Sequence, residues 1–196
     1  IVEFRNGESG SHVRHIRILT EKIMAQLLRK TDKYSLSSEE QDNITLASAL
    51  HDIGKIAIDE KILNKPGRLT LEEFAVIKTH TTEGAALLHR LENFDTEPLL
   101  QTACDIARWH HERWDGRGYP DGLAGDDIPI GAQLVSLADV YDALTSERCY
   151  KKAFPHEKAV QMILGGECGA FNPLLLECLK DIEGSLQAEL KKDYQS

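Results

Sequence analysis

The sequence predicts an all-α fold, a single-domain helical bundle of about seven to nine helices. Three observations predict it. Apolar residues recur at helical spacing in successive segments, as in Ile16, Leu19, Ile23 and Leu27. Two capping boxes, Ser37-Ser38-Glu39-Glu40 and Thr70-Leu71-Glu72-Glu73, pair a hydroxyl with a Glu three residues on and so mark helix starts. No alternating stretch of useful strand length occurs, and no internal repeat. The 196 residues suffice for one sizeable core and hardly for two.

Residues 1–10 are polar and contain glycine, and read as a linker remnant from an upstream domain; the folded domain is expected over 11–196. The first helix runs from Ser11 to about Arg29. The second opens at the Ser37 box, carries Ile44, Ala47 and Leu50-His51, and is expected to stop at Gly54. Pro66-Gly67-Arg68 is a turn, and the Thr70 box opens a helix towards His80. A further helix spans about Thr82 to Leu91, and Pro98, suited to a first turn, begins one that ends at His110-His111. Residues 112–129 break the pattern with six glycines and prolines, a loop of the length usually kept for function. Helices then follow through Leu134, Leu137, Val140 and Leu144, from near Pro155, and from Asn172-Pro173 into a charged tail.

Composition narrows the function classes. Apolar residues at 41% and charged residues at 28% are ordinary for a soluble globular protein, and cysteine usage points to the cytoplasm. Cys104, Cys149, Cys168 and Cys178 form no CxxC pair, so they read as reduced thiols without a disulfide framework. No apolar run approaches the roughly 18 residues that span a bilayer, so no membrane partner is expected. A net charge of −9 argues against a nucleic acid polymer as partner, which demands a basic face. An anionic substrate would have to be held locally, by metals and a few Lys or Arg residues.

The chemistry concentrates in a dispersed set of histidines and carboxylates. His51-Asp52 offers a neutral nitrogen beside an anionic oxygen. Glu8 and His12, four apart, share a face if the first helix starts early enough; the competing reading of Glu8 is a solvated first-turn carboxylate. His80 lies where the chain changes helix direction. His110 and His111 are about 100° apart on a helix, so they meet at one spot only if the helix is ending, or else reach two different metals. Asp139 is a charge in an otherwise apolar helix, where a buried carboxylate needs a cation. His15, His89 and His156 have surface or packing readings only. Five of the eight histidines plus three carboxylates make a mixed nitrogen and oxygen donor set. It suits iron, manganese or zinc better than calcium. Metals sharing Asp52 and a hydroxide would provide a nucleophile at neutral pH and offset charge on a phosphoryl group.

The stretch His110-His111-Glu112-Arg113-Trp114-Asp115-Gly116-Arg117-Gly118-Tyr119-Pro120 resembles the HD-GYP subgroup of the HD-domain phosphohydrolases. So do Leu50-His51-Asp52-Ile53-Gly54-Lys55-Ile56, Lys65-Pro66-Gly67 and Ala138-Asp139-Val140-Tyr141-Asp142-Ala143-Leu144-Thr145-Ser146, in the family's order from Glu8 to about Pro173. The resemblance implies an HD-type bundle that hydrolyses cyclic di-GMP to pGpG and GMP with two or three divalent transition metals, iron or manganese. It implies metal ligation by His51, Asp52, His80, His110, His111 and Asp139, with Asp52 bridging, and a third metal on Glu8 and His12. Asp52 and Lys55 would be catalytic, Lys55 neutralising the phosphate. Arg148 and Lys151 would grip the dinucleotide, where the residue-level alternative is a solvated helix end, and Tyr119 would lie beside it, where the alternative is loop packing. Two departures stand out: Asn172 where the family carries Asp, expected to weaken a helix cap, and Cys149 where Pro is common.

The same resemblance leaves two other functions open: a phosphohydrolase on another nucleotide, such as a cyclic GMP-AMP hybrid, and a sensor that binds without cleaving. Loss of a ligand would mark the sensor, and no ligand is lost. It also implies an upstream receiver or sensory domain. The amphipathic first helix is a candidate interface for a homodimer.

Overall fold

The computed structural model describes residues 10–146 and 152–193. Nine α-helices occur among these residues, and no strand beyond a single antiparallel bridge between Asp115 and Ala124. They are α1 (Gly10–Lys30), α2 (Ser38–Ala47), α3 (Glu60–Leu63), α4 (Leu71–Lys78), α5 (His80–His89), α6 (Pro98–Trp109), α7 (Ile130–Thr145), α8 (His156–Leu164) and α9 (Pro173–Asp193). Helix α1 begins at Gly10, one residue inside the expected linker. Glu8, Arg148 and Lys151 lie outside the described residues.

Both capping boxes form. Ser37 Oγ accepts from the Glu40 amide while the Glu40 carboxylate accepts from the Ser37 amide, and Thr70 and Glu73 repeat the exchange. Pro98 occupies the first turn of α6. Asn172 does cap α9: its Oδ1 accepts from the Leu174 amide, and its Nδ2 donates to Tyr34 Oη and Gln133 Oε1.

Helix α1 lies against α7 and α9, α6 against α2, α5 and α7. The apolar stripe of α1, Ile16, Leu19, Ile23 and Leu27, has no exposed surface and shares one buried core with Leu134, Leu137, Tyr141, Leu175 and Leu179. That face is consumed by the chain's own core. No helix among the described residues is long and apolar enough to cross a membrane.

The second helix ends earlier than expected. Regular α structure stops at Ala47, and two 3-10 turns follow, Ser48–Leu50 and Ile53–Ala57. Gly54 therefore does not terminate a helix; it permits a contact. A methyl group at Gly54 would overlap the His80 carbonyl oxygen and the Gly84 amide nitrogen. The turn carrying His51-Asp52 is thus pressed backbone to backbone on the start of α5, and this brings Asp52 to His80.

Gly54→Ala is accordingly expected to destabilise the fold by about 2–3 kcal/mol through overpacking, lowering Tm by roughly 5–10 °C. Thermal unfolding followed by circular dichroism measures it, and an unchanged Tm would show that the two backbones can separate freely.

Candidate metal centre

Four histidines of the centre are each placed by an oxygen that accepts the Nδ1–H. His51 donates to the Ser48 carbonyl at 2.8 Å, across the 3-10 turn that ends α2. His80, at the start of α5, donates to the Ile77 carbonyl at 2.7 Å. His110 follows the last residue of α6, where carbonyls lack helical partners, and its Nδ1 lies 3.0 Å from the Ile106 oxygen and 3.2 Å from that of Ala107. His12 on α1 donates to Asp142 Oδ2 at 2.7 Å. Because only acceptors face these Nδ1 atoms, a proton resides on each, and in the neutral rings of His80 and His110 the Nε2 atom presents a lone pair.

The lone pairs converge. His80, His110 and His111 hold ligand atoms within 4.8 Å of one another, and so do His12, His51 and Asp139. Asp52 stands between the two groups. Its Oδ2 lies 3.3 Å from His51 Nε2, and its Oδ1 lies 3.3 Å from His80 Nε2 and 3.9 Å from His110 Nε2. The His110–His111 pair joins one group, their ring centroids 4.1 Å apart, because α6 ends at Trp109; they do not divide between two groups.

The donor set fits divalent transition metals on this structure's own geometry. His51 Nε2 and Asp52 Oδ1 are buried and make no hydrogen bond. His80 Nε2 and His110 Nε2 face each other at 3.4 Å, yet each ring has already placed its proton on Nδ1, so lone pair meets lone pair. A cation between them removes that repulsion, and a set of imidazoles with carboxylates suits Fe, Mn or Zn.

The electrostatics agree. Burial keeps His80 below its ordinary value, His110 well below it, and lowers His111 to about 4, so all three are neutral and able to ligate near pH 7. Burial disfavours the His51 imidazolium too, but the Asp52 carboxylate against it pushes this ring up to about 9. Burial alone would raise the Asp52 carboxyl; Lys55 and His51 override it and hold it well below the usual carboxylate range. The Lys55 ammonium is 2.6 Å from Asp52 Oδ2.

Asp139 is not the buried carboxylate of its helix: it keeps 18% of its side-chain surface, 3.9 Å from His12 Nε2. The buried one is Asp142, one turn on. It accepts from His12 and His15, each at 2.7 Å, and from Ser146 Oγ at 2.9 Å. Desolvation opposes its charge, and the two histidines overcome this and hold its carboxyl well below the usual range. Asp142 and His15 went unrecognised as parts of the site, although the i, i+3 spacings His12/His15 and Asp139/Asp142 were there to be read.

The loop after His111 is ordered by Glu112. Its buried Oε1 accepts from the Asp121 and Gly122 amides at 2.7 and 3.0 Å, while Arg108 and Trp109 bind the Asp121 carboxylate. Gly118 lies so close to the Glu112–Arg113 backbone that any side chain there would overlap it. The Tyr119 amide donates to the His111 carbonyl at 3.2 Å, and the Tyr119 ring stacks on His111 with centroids 4.8 Å apart. Burial raises its phenol above the ordinary value.

An all-helical bundle that buries two linked histidine–carboxylate groups around a shared Asp belongs to the class of metal-centred helical domains. More particularly, the HD domain family model matches residues 10–167, and this chain belongs to that family. It is 43% identical over 181 residues to a probable cyclic di-GMP phosphodiesterase of Vibrio cholerae, covering 90% of this chain and 41% of that protein. It is 40% identical over 178 residues to a 3'3'-cGAMP-specific phosphodiesterase of the same organism, covering 91% of this chain and 32% of that protein. Among solved structures, an HDG"Y"P protein from Bdellovibrio bacteriovorus superposes with a TM-score of 0.65 at 28% identity, over 89% of this chain and 52% of that one. The chain thus spans less than half the length of these two curated relatives.

Asp142→Asn should weaken divalent metal binding at the His12–His51–Asp139 group roughly 10- to 100-fold, the usual cost of losing a carboxylate behind a ligating histidine. Titration with Mn²⁺ followed by calorimetry measures it; equal affinity in variant and wild type would reduce Asp142 to a packing role.

Proposed function

We propose that this chain is the catalytic domain of a metal-dependent phosphodiesterase that hydrolyses cyclic di-GMP to pGpG and GMP. The observation that carries the reading is Asp52, whose two oxygens lie against histidines of both three-residue groups. A carboxylate so placed suits two ions sharing it, and Glu8, four residues before His12 in the sequence, would with it extend the set to a third. Iron or manganese fits the nitrogen and oxygen donors best. Bound there, the metals would supply an activated water and offset the charge developing on the phosphoryl group.

The chain's own residues do the rest. His51, His80 and His110 retain about 1% of their surface, so the back of the centre excludes water. His111 and Asp139 are half-buried and form its open side, from which a phosphodiester would approach. Lys55, already against Asp52, is placed to neutralise a phosphate oxygen arriving there. Tyr119 flanks His111 at the mouth. Arg148 and Lys151 remain proposed grips for the dinucleotide. A hybrid cyclic GMP-AMP substrate is the second reading, supported by the 40% identity to a cGAMP-specific relative. In the full-length protein an upstream receiver or sensory domain would supply regulation, and the cytoplasm is the compartment in which cyclic dinucleotides would be met.

Two outcomes are expected. Protein produced in iron-supplemented medium should contain two or three transition-metal ions per chain by elemental analysis and convert cyclic di-GMP to pGpG and GMP, resolved by chromatography; full activity in metal-free protein would end the reading. Asp52→Ala should abolish turnover with the helical circular dichroism spectrum intact, because it removes the one carboxylate whose two oxygens face both groups; near-normal turnover would remove Asp52 from the chemistry.

A further inference from the structure

A groove of about 150 Å³ lies between α2, α6 and the start of α7, and none of the proposed metal ligands lines it. Half-buried Pro129 and Ile130 form its apolar rim, with the buried side chains of Ile44 and Ile106 behind them. Two carboxylates line it, Asp105 and Glu40, and no cation does. Glu40 is engaged in its capping box, where Oε2 accepts from the Ser37 amide and hydroxyl, both at 2.7 Å. Asp105 is half-buried and has no side-chain partner among the described residues. Burial beside apolar groups pushes its carboxyl above the ordinary value, and no neighbouring charge offsets this. The cation its own helix offers, Arg108 three residues on, is turned away: it grips Asp121 through Nε at 2.8 Å and Nη2 at 2.9 Å.

A desolvated carboxylate without a counter-ion, at the side of an apolar groove, selects a group with a cationic head and an apolar stem. A hydrated inorganic cation gains nothing from the apolar rim, and a neutral apolar group leaves the carboxylate unpaired. An arginine side chain meets both demands. Its methylenes lie along apolar surface, and its weakly hydrated, planar guanidinium bonds a carboxylate through two parallel N–H groups. An apolar space of about 150 Å³ takes a group the size of benzene, so one side chain fills the groove. A free ligand that small gains too little to offset its lost translational freedom, whereas a side chain anchored in a polypeptide shares that cost with the rest of an interface. We propose that this groove docks an arginine side chain presented by a partner polypeptide, its guanidinium on Asp105 and its stem against Pro129 and Ile130. The charge around the groove favours such a partner: the first turn of α2 carries Glu39 and Glu40, in a chain of net charge −9. The groove also backs onto the metal centre through Ile106, whose carbonyl accepts from His110 Nδ1. The partner is thus seated on the helix that ends at His110 and His111 without occupying a proposed ligand.

The test is methyl NMR of the Zn²⁺-loaded protein, whose ion is diamagnetic. It is titrated with the peptide Ac-Leu-Arg-Leu-NH₂ and with the same peptide carrying citrulline, the uncharged isostere of arginine. The arginine peptide should shift the methyl signals of Ile44, Ile106 and Ile130 saturably. Kd should rise roughly 10-fold with citrulline, and by a similar factor in Asp105→Asn, as expected for losing a charged hydrogen-bonded pair. Asp105→Asn should retain the wild-type affinity for Zn²⁺, because Asp105 touches no proposed ligand; a fall there would assign it to support of the centre and overturn the proposal. Equal binding of the two peptides by the wild-type protein would overturn it as well, whatever the variant does, and so would an absence of saturable shifts at these three residues or an unchanged Kd in Asp105→Asn. The side chain alone, supplied as n-butylguanidinium, should bind more weakly than the arginine peptide; equal affinity would assign the groove to a free cation and overturn the polypeptide as its occupant.

Discussion

The centre depends on where four imidazole protons lie. His51, His80 and His110 each donate Nδ1–H to a backbone carbonyl in their own turn of chain, and His12 donates to Asp142. A carbonyl cannot give a proton back, so the tautomer is decided by backbone geometry and not by the cation. In the neutral rings of His80 and His110 the Nε2 lone pair then points inward before any ion arrives. The consequence is a buried set of nitrogens facing each other and Asp52 with too few protons to satisfy them. Such an arrangement costs free energy in the absence of a cation, and metal binding relieves that cost.

Backbone contact sets the scale of the centre as firmly as the protons set its direction. Gly54 lets the turn after Asp52 rest directly on the start of α5, which places the carboxylate 3.3 Å from His80. The end of α6 supplies His110 and His111 together, and α1 and α7 supply His12 and Asp139 from the opposite side. Helix α1 is held there by a fully buried apolar stripe. A shift of α1 along α7 would therefore be felt at once by the His12–Asp142 bond. Asp142 also ties down the residue just past the end of α7, since Ser146 donates to the same carboxylate.

The two sides of the centre differ in kind. Its back is closed by His51, His80 and His110, buried and neutral apart from the ring beside Asp52. Its front is bordered by His111, Tyr119 and a cleft with Lys78 and Arg117. Local cations at the front offset the far field of an acidic chain, which any anion approaching the centre must otherwise overcome. Glu112 and Gly118 keep the intervening loop compact, so the aromatic ring and the cations are presented from a fixed frame.

By itself the sequence determined the helical bundle, both capping boxes and the Pro98 start, and it offered His12, His51, Asp52, His80, His110, His111 and Asp139 as candidate ligands. These follow from local spacing, from hydrogen bonds between residues three apart, and from side-chain types with few other uses. Only the tertiary structure decided how those ligands divide into groups, because the division depends on where α6 ends and on how closely Gly54 approaches α5. It alone separated Asp139 from Asp142, since burial of two carboxylates one turn apart is settled by the helices packed across them and not by their own helix. It also assigned Lys78 a place beside Tyr119: α4 and the loop after His111 are distant in sequence, and charge proximity between distant segments leaves no local pattern to read.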